Sequence, residues 1–180
     1  VGKGRMAEPE NIVAQLEEYL FQTQVQKLKG QKILITAGPT YEPLDPIRFI
    51  GNHSSGKMGI ALAEVAFEHG ASVSLVLGAT SLRPRYKGIE VIAVRTAQQM
   101  FEATTVRFEE SDVAILAAAV ADFTPFDVSD TKIKKKKTDG GMTLQLKRTK
   151  DILATLGTTK KSTQTLVGFA LETNNEVENA

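Results

Sequence analysis

Apolar positions along this chain follow two alternating rhythms, one helical and one extended. Ile12, Val13, Leu16 and Leu20 keep helical spacing within an entry segment, residues 1–29. Pro9 suits a first helical turn, and Gly30 ends the pattern. Lys32–Ala37 (KILITA) is a β-branched run that leads into Gly-Pro, as a buried strand entering a loop does. No clear periodicity marks residues 38–55. Lys57–Glu68 returns to helical spacing and stops near Gly70. Ser72–Leu77 and residues 90–94 read as further strands, and Ala97–Phe108 as a helix. Residues 113–119 (VAILAAA) read as a fourth strand, with side chains small enough for a ligand to approach. Strands apolar on both faces, alternating with helices, predict an α/β fold. It would be a Rossmann-like three-layer arrangement around a mainly parallel sheet. Residues 124–141 mix Pro, Asp, Ser, Gly and lysines and read as a mobile lysine-rich flap. Beyond it, residues 142–146 predict a strand, 151–156 a short helix and 165–170 another buried strand.

Composition narrows the function without naming it. Hydrophobic residues at 42% suffice for a core, and a net charge of +1 gives the whole chain no pull toward nucleic acid or membrane. The charge is uneven, with Lys132, Lys134, Lys135, Lys136 and Lys137 within six residues. Cysteine is absent, which removes disulfides, thiolate metal sites and thiol nucleophiles and is compatible with a reducing cytoplasm. No apolar run approaches the ~20 residues that span a bilayer, and no signal peptide is visible. The chain begins with Val1 rather than Met, which reads as a fragment.

Candidate chemistry gathers in four places. Residues 51–58 (GNHSSGKM) nearly match a phosphate-binding P-loop, but Met58 stands where a hydroxyl must hold magnesium, and no strand runs directly into the segment. The P-loop reading is rejected. Ser54, Ser55 and Gly56 still precede a helix whose unpaired amides favour an anion, while an ordinary serine-capped helix start explains them equally well. The glycine-rich dinucleotide fingerprint is missing after the first strand, where Gly38 is the lone glycine. Asp122 ends a strand where open α/β sheets bind ligands, although a strand-terminating turn is the commoner role for a lone Asp. The lysine run reads as a solvated cluster, a nucleic-acid patch without interleaved aromatics, or a flap over phosphates. His53 suits a phosphate contact or a packed turn, and His69 ends a helix. Two histidines build neither a triad nor a metal cluster.

Several strings carry a more specific resemblance. Residues 35–40 (ITAGPT), 42–46 (EPLDP) followed by Arg48, 52–59 (NHSSGKMG), 117–122 (AAAVAD), 132–135 (KIKK) and 168–174 (GFALETN) resemble phosphopantothenoylcysteine synthetase. Residues 4–9 (GRMAEP) resemble the closing stretch of the flavin-dependent phosphopantothenoylcysteine decarboxylase, which is fused upstream in most bacteria. The resemblance implies a tail of that decarboxylase plus linker over residues 1–29 and a synthetase domain over 30–180 with its C-terminal part missing. FMN would then belong only to the upstream domain.

The same resemblance implies a phosphopantothenate–cysteine ligase. CTP, with Mg2+, would activate 4'-phosphopantothenate as an acyl-cytidylate with release of pyrophosphate, and cysteine would displace CMP. Lys132 would stabilise the first step, Asn52 would support conversion of the adduct and Arg48 would orient the same region. Leu116, Ala117 and Ala118 would lie along the nucleotide through backbone groups. Asp122, Asp151, Ile152, Leu153 and Phe169 would complete its site, with Lys150 standing where the family usually has proline. Gly38, Asn52, Ser54, Ser55 and Gly56 would meet the substrate phosphate and acyl-cytidylate. No metal ligands are assigned. The family implies a cytoplasmic homodimer, with a larger oligomer left open for the parent, acting on small molecules without nucleic acid or membrane. ATP replaces CTP in some eukaryotic relatives, and the residues do not decide between them. A short-chain-dehydrogenase-like oxidoreductase is the rival enzyme, but Tyr19, Tyr41 and Tyr86 supply no Tyr-x-x-x-Lys pair. A binding or dimerisation module is the non-catalytic rival.

Overall fold

The computed structural model describes residues 7–24, 26–134 and 141–170. Five strands form one parallel sheet: β1 (Lys32–Ala37), β4 (Ser72–Leu77), β5 (Glu90–Ala93), β6 (Val113–Leu116) and β9 (Thr165–Gly168). Their order is β5-β4-β1-β6-β9, so β1 is central.

The two faces of β1 follow from its period of two. Ile33, Ile35 and Ala37 point to one face and meet Ile60, Ala63 and Phe67 of α2 (Lys57–Glu68). Leu34 points to the other, where α3 (Ala97–Phe108) brings Met100 and Phe108 and α4 (Ile152–Thr159) brings Ile152 and Leu156. This is the three-layer α/β fold that the strand pattern predicts. An entry helix, α1 (Pro9–Gln24), lies against α2, and its Glu17 pairs with Arg85 at 3.2 Å.

Two small antiparallel ribbons stand outside the sheet. β2 (Tyr41–Pro43) pairs with β3 (Phe49–Gly51), and the rings of Tyr41 and Phe49 stack at 3.9 Å. β7 (Phe123–Pro125) pairs with β8 (Leu146–Arg148). Neither ribbon has a legible rhythm, because three-residue strands are too short to show one. The strand expected over 142–146 therefore begins only at Leu146. β6 stops at Leu116 rather than continuing to residue 119, because the next amides turn to acceptors on the β1 side. The helix expected over 151–156 extends to Thr159, and the expected strands over 90–94 and 165–170 close one and two residues early. The mobility expected of the flap falls partly on residues 135–140, outside the described residues.

Packing at α2 imposes a sharp steric limit. A Cβ added to Gly59 would lie 2.5 Å from Ala37 Cβ and 3.0 Å from Thr36 O. Gly157, inside α4, has nothing within 4 Å of such a Cβ. The same substitution therefore acts with opposite sign at the two sites. Gly59→Ala is expected to cost about 1–3 kcal/mol through overpacking, whereas Gly157→Ala should gain about 0.5–1 kcal/mol from helix propensity. Urea unfolding midpoints check both.

Beside α2, Tyr86 is 1% exposed, stacks on Phe67 and donates its hydroxyl to Glu68 Oε1 at 2.6 Å. Burial, then the Glu68 carboxylate, pushes its hydroxyl up to about 12 from 10.0. The folded state thus ionises later than the unfolded chain, so this stabilisation is complete below pH 10 and lost as pH rises toward 12. Tyr86→Phe should flatten the loss of stability over that alkaline range, as followed by denaturant titrations at successive pH values.

Candidate functional site

The sheet presents a cleft at the carboxyl ends of β1, β6 and β9, where open parallel sheets bind their ligands. Its volume is about 550 Å³, within the range of small-molecule sites. Leu116, Ala118, Val120, Ile152 and Leu153 line it with apolar surface, and Phe123 and Phe169 add rings. Arg148, Lys150 and Asp122 bring charge.

The expected nucleotide-binding set is largely gathered here. Leu116, Ala118, Asp122, Asp151, Ile152, Leu153 and Phe169 all line the cleft. Ala117 and Lys132 are not among the residues that line it. The backbone groups expected to meet a ligand along residues 116–118 have these partners within the fold. Ala117 N–H donates to Thr36 O, Ala118 N–H to Thr36 Oγ1, Ala119 N–H to Gly38 O and Ala121 N–H to Thr40 Oγ1. With those donors engaged, the run can present to a ligand carbonyl acceptors and methyl groups. Asp151 Oδ1 accepts Ala154 N–H at 2.8 Å and so caps α4, which makes one carboxylate oxygen structural.

The residues expected at the phosphate are held by contacts within the fold. Asn52 donates from Nδ2 to Val120 O at 3.0 Å, tying the end of β3 to the cleft wall. Arg48 donates from Nη2 to Ile133 O at 2.7 Å. Ser54 Oγ and Ser55 Oγ each accept a local amide at 3.3 Å, from Gly56 and Lys57. Neither serine is the cap of α2. Gly56 occupies that position, in the left-handed region at φ 79°, and offers no side chain to cap. Gly38 approaches Gly56 closely: a Cβ on Gly56 would lie 3.2 Å from Gly38 Cα. His53 is exposed, and His69 closes α2.

Thr36, Val120, Phe123, Arg148, Thr149, Lys150 and Gly168 complete the lining. Arg148 and Phe123 left no local signal in the sequence, since each sits on a three-residue strand. Lys150 also lies over the Phe101 ring of α3, its Nζ 4.6 Å from the ring centroid. A lysine in place of the expected proline thus puts a cation on the rim. Size, apolar walls and rim cations together fit an anionic small molecule with an apolar part. Among the described residues no group of three or more His, Asp or Glu converges to hold a metal.

Comparison with known proteins gives the family. Residues 28–180 match the DNA/pantothenate metabolism flavoprotein C-terminal domain. A cysteine/cysteine sulfinic acid decarboxylase from an unknown prokaryotic organism is 54% identical over 99% of this chain and 50% of its own length. The coenzyme A biosynthesis bifunctional protein CoaBC of Bacillus subtilis (strain 168) is 53% identical over 96% of this chain and 42% of its own. The chain spans about half the length of these relatives. Among solved structures, the C-terminal domain of CoaBC superposes with a TM-score of 0.74 at 46% identity, over 86% of this chain and 71% of that one. The DNA/pantothenate metabolism flavoprotein from Streptococcus pneumoniae gives 0.68 at 25%, over 83% and 73%.

These findings correct three expectations. The resemblance to a synthetase and its ligase reaction give way to a flavoprotein family with a decarboxylase among its near relatives. CTP and Mg2+ lose their support with that reaction, and no metal cluster replaces it among the described residues. The flavin, expected only upstream, is part of the description of the family that matches these residues. The chain belongs to the DNA/pantothenate metabolism flavoprotein C-terminal domain family.

Proposed function

We propose that this chain is part of a decarboxylase of coenzyme A biosynthesis, acting on phosphopantothenoylcysteine, and that its cleft holds a phosphorylated ligand with a flat ring. The observation that carries the cleft reading is the pairing of rim cations with an apolar, acceptor-lined wall. Relatives named for coenzyme A biosynthesis and for decarboxylation supply the reaction class.

In this reading Arg148 and Lys150 meet the phosphate by charge-assisted hydrogen bonds. Leu116, Ala118, Ile152 and Leu153 exclude water from the ring, and the free carbonyls accept from its N–H groups. Phe123 and Phe169 cover the opening. A flavin bound there supplies a two-electron acceptor. This chain contains no cysteine, so its residues contribute binding and orientation rather than a thiol. The family match beginning at residue 28 supports a domain boundary near there, with the preceding residues as a lead-in. The relatives' role in coenzyme A biosynthesis supports a cytoplasmic setting, and no helix among the described residues is long and apolar enough to cross a membrane.

Titrating FMN with the chain should quench flavin fluorescence, and inorganic phosphate or AMP should compete according to whether phosphate or ring dominates. Lys150→Gln combined with Arg148→Gln should weaken binding about tenfold or more, the scale of one or two charge-assisted contacts. Absence of FMN binding would remove the flavin from this cleft. Release of carbon dioxide from phosphopantothenoylcysteine, assayed for this chain with FMN and for its longer relatives, tests the reaction.

A homodimer is part of the same proposal. Ile47 (62% exposed) and Phe49 (44%) on the β2–β3 ribbon, with Phe126 (59%) and Val128 (49%) beside the second ribbon, offer apolar surface for a second copy. Light scattering should give twice the chain mass, and Ile47→Glu with Phe126→Glu should return it to that of a monomer.

A further inference from the structure

A second polar centre lies outside the cleft, in the turn between β2 and β3. Asp45 is 3% exposed, and donors surround its carboxylate. Oδ1 accepts the amides of Ile47 at 2.8 Å and Arg48 at 2.9 Å, as an aspartate opening a tight turn does. Oδ2 accepts Ile133 N–H at 3.1 Å, across 88 positions of sequence, and faces Arg48 Nε at 3.5 Å. Arg48 returns the bond by donating from Nη2 to Ile133 O. One turn thus holds both the N–H and the C=O of a single distant residue, the first by carboxylate and the second by guanidinium. Ser129 N–H, donating to Leu44 O at 3.0 Å, adds a third tie to the same stretch.

The turn would need only its two local bonds. The longer ones converge on the residue between Lys132 and Lys134, both exposed. We propose that Asp45 is a positioning residue for this lysine-bearing segment: it fixes Ile133 to the ribbon and so sets where Lys132 and Lys134 stand relative to Arg48. Like charges close in sequence repel and spread a chain unless something anchors it. Burial works to raise the Asp45 carboxyl, but the amides of Ile47, Arg48 and Ile133, with the Arg48 charge, outweigh it and hold the group below its ordinary value. The carboxylate therefore stays ionised and keeps accepting. Any anion that reaches Arg48 meets cations whose spacing is already set, which reduces the ordering cost of binding.

The peptide bond between Lys132 and Ile133 reports directly on this arrangement, since trypsin must extract the N–H that Asp45 holds. Hydrogen exchange at the Ile133 amide and tryptic cleavage of that bond, measured on the full chain, should each accelerate about tenfold in Asp45→Asn, the scale of one charge-assisted hydrogen bond. Exchange of the β1 and β4 core amides should stay unchanged. Unaltered rates at both probes, with the core intact, would overturn the proposal. If Asp45→Asn does not fold, Arg48→Met decides the matter, because it removes the bond to Ile133 O and spares the three amides on Asp45. A smaller acceleration is then expected, and none would overturn the proposal. Neither readout involves a ligand, so the outcome is independent of the reading of the cleft.

Discussion

The functional end of this domain depends on two buried hydroxyls. Thr36 and Thr40 are 2% and 0% exposed, and their oxygens accept the amides of Ala118 and Ala121. Each bond crosses from the β1 side to the segment that leaves β6. Without them the amides of Ala118 and Ala121 would lose their acceptors, the second of them buried, leaving backbone bonds alone to join the two segments. With them, the wall of the cleft is fixed by backbone geometry rather than by side-chain packing. Part of its chemistry follows, because the amides of Ala117, Ala118, Ala119 and Ala121 already donate within the fold.

Apolar burial and polar ties divide the work. The two cores lie on either face of β1 and follow largely from its alternation, with Tyr86 and Ile89 joining one from a loop and Ile152 of the other reaching the cleft. The loops are tied down by polar contacts: Asn52 to Val120, Thr149 to Ala121, Glu42 to the first amide of α3 and Asp45 to Ile133. Polar ties of this kind are directional and specify a single arrangement, whereas apolar burial tolerates small slips.

That division explains what the sequence revealed. The long elements β1, β4, α2 and α3 were legible to the residue, since burial on a sheet or helix face writes a period into the chain. The cleft was legible in part: Asp122 from its place at the end of a strand, and Leu116 and Phe169 only from the resemblance. Arg148 and Phe123 were not, because β7 and β8 are defined by each other and not by local pattern. Asp45 stood in plain view within a quoted string, yet its significance comes from a partner 88 positions away. The reaction was misjudged for another reason. The short strings cover only part of the chain, whereas the family match and the decarboxylase relative rest on most of it.

One helix links these parts mechanically. Glu42 Oε1 takes the amide of Ala97 at 2.7 Å, bolting the β2–β3 ribbon to the start of α3. One turn further along, Phe101 lies beneath the Lys150 ammonium. The ribbon and the cation at the cleft rim are therefore mounted on the same short rod, and a shift of one is measured against a foundation shared with the other. The distance between them is set by helix pitch, the least compliant ruler a protein has.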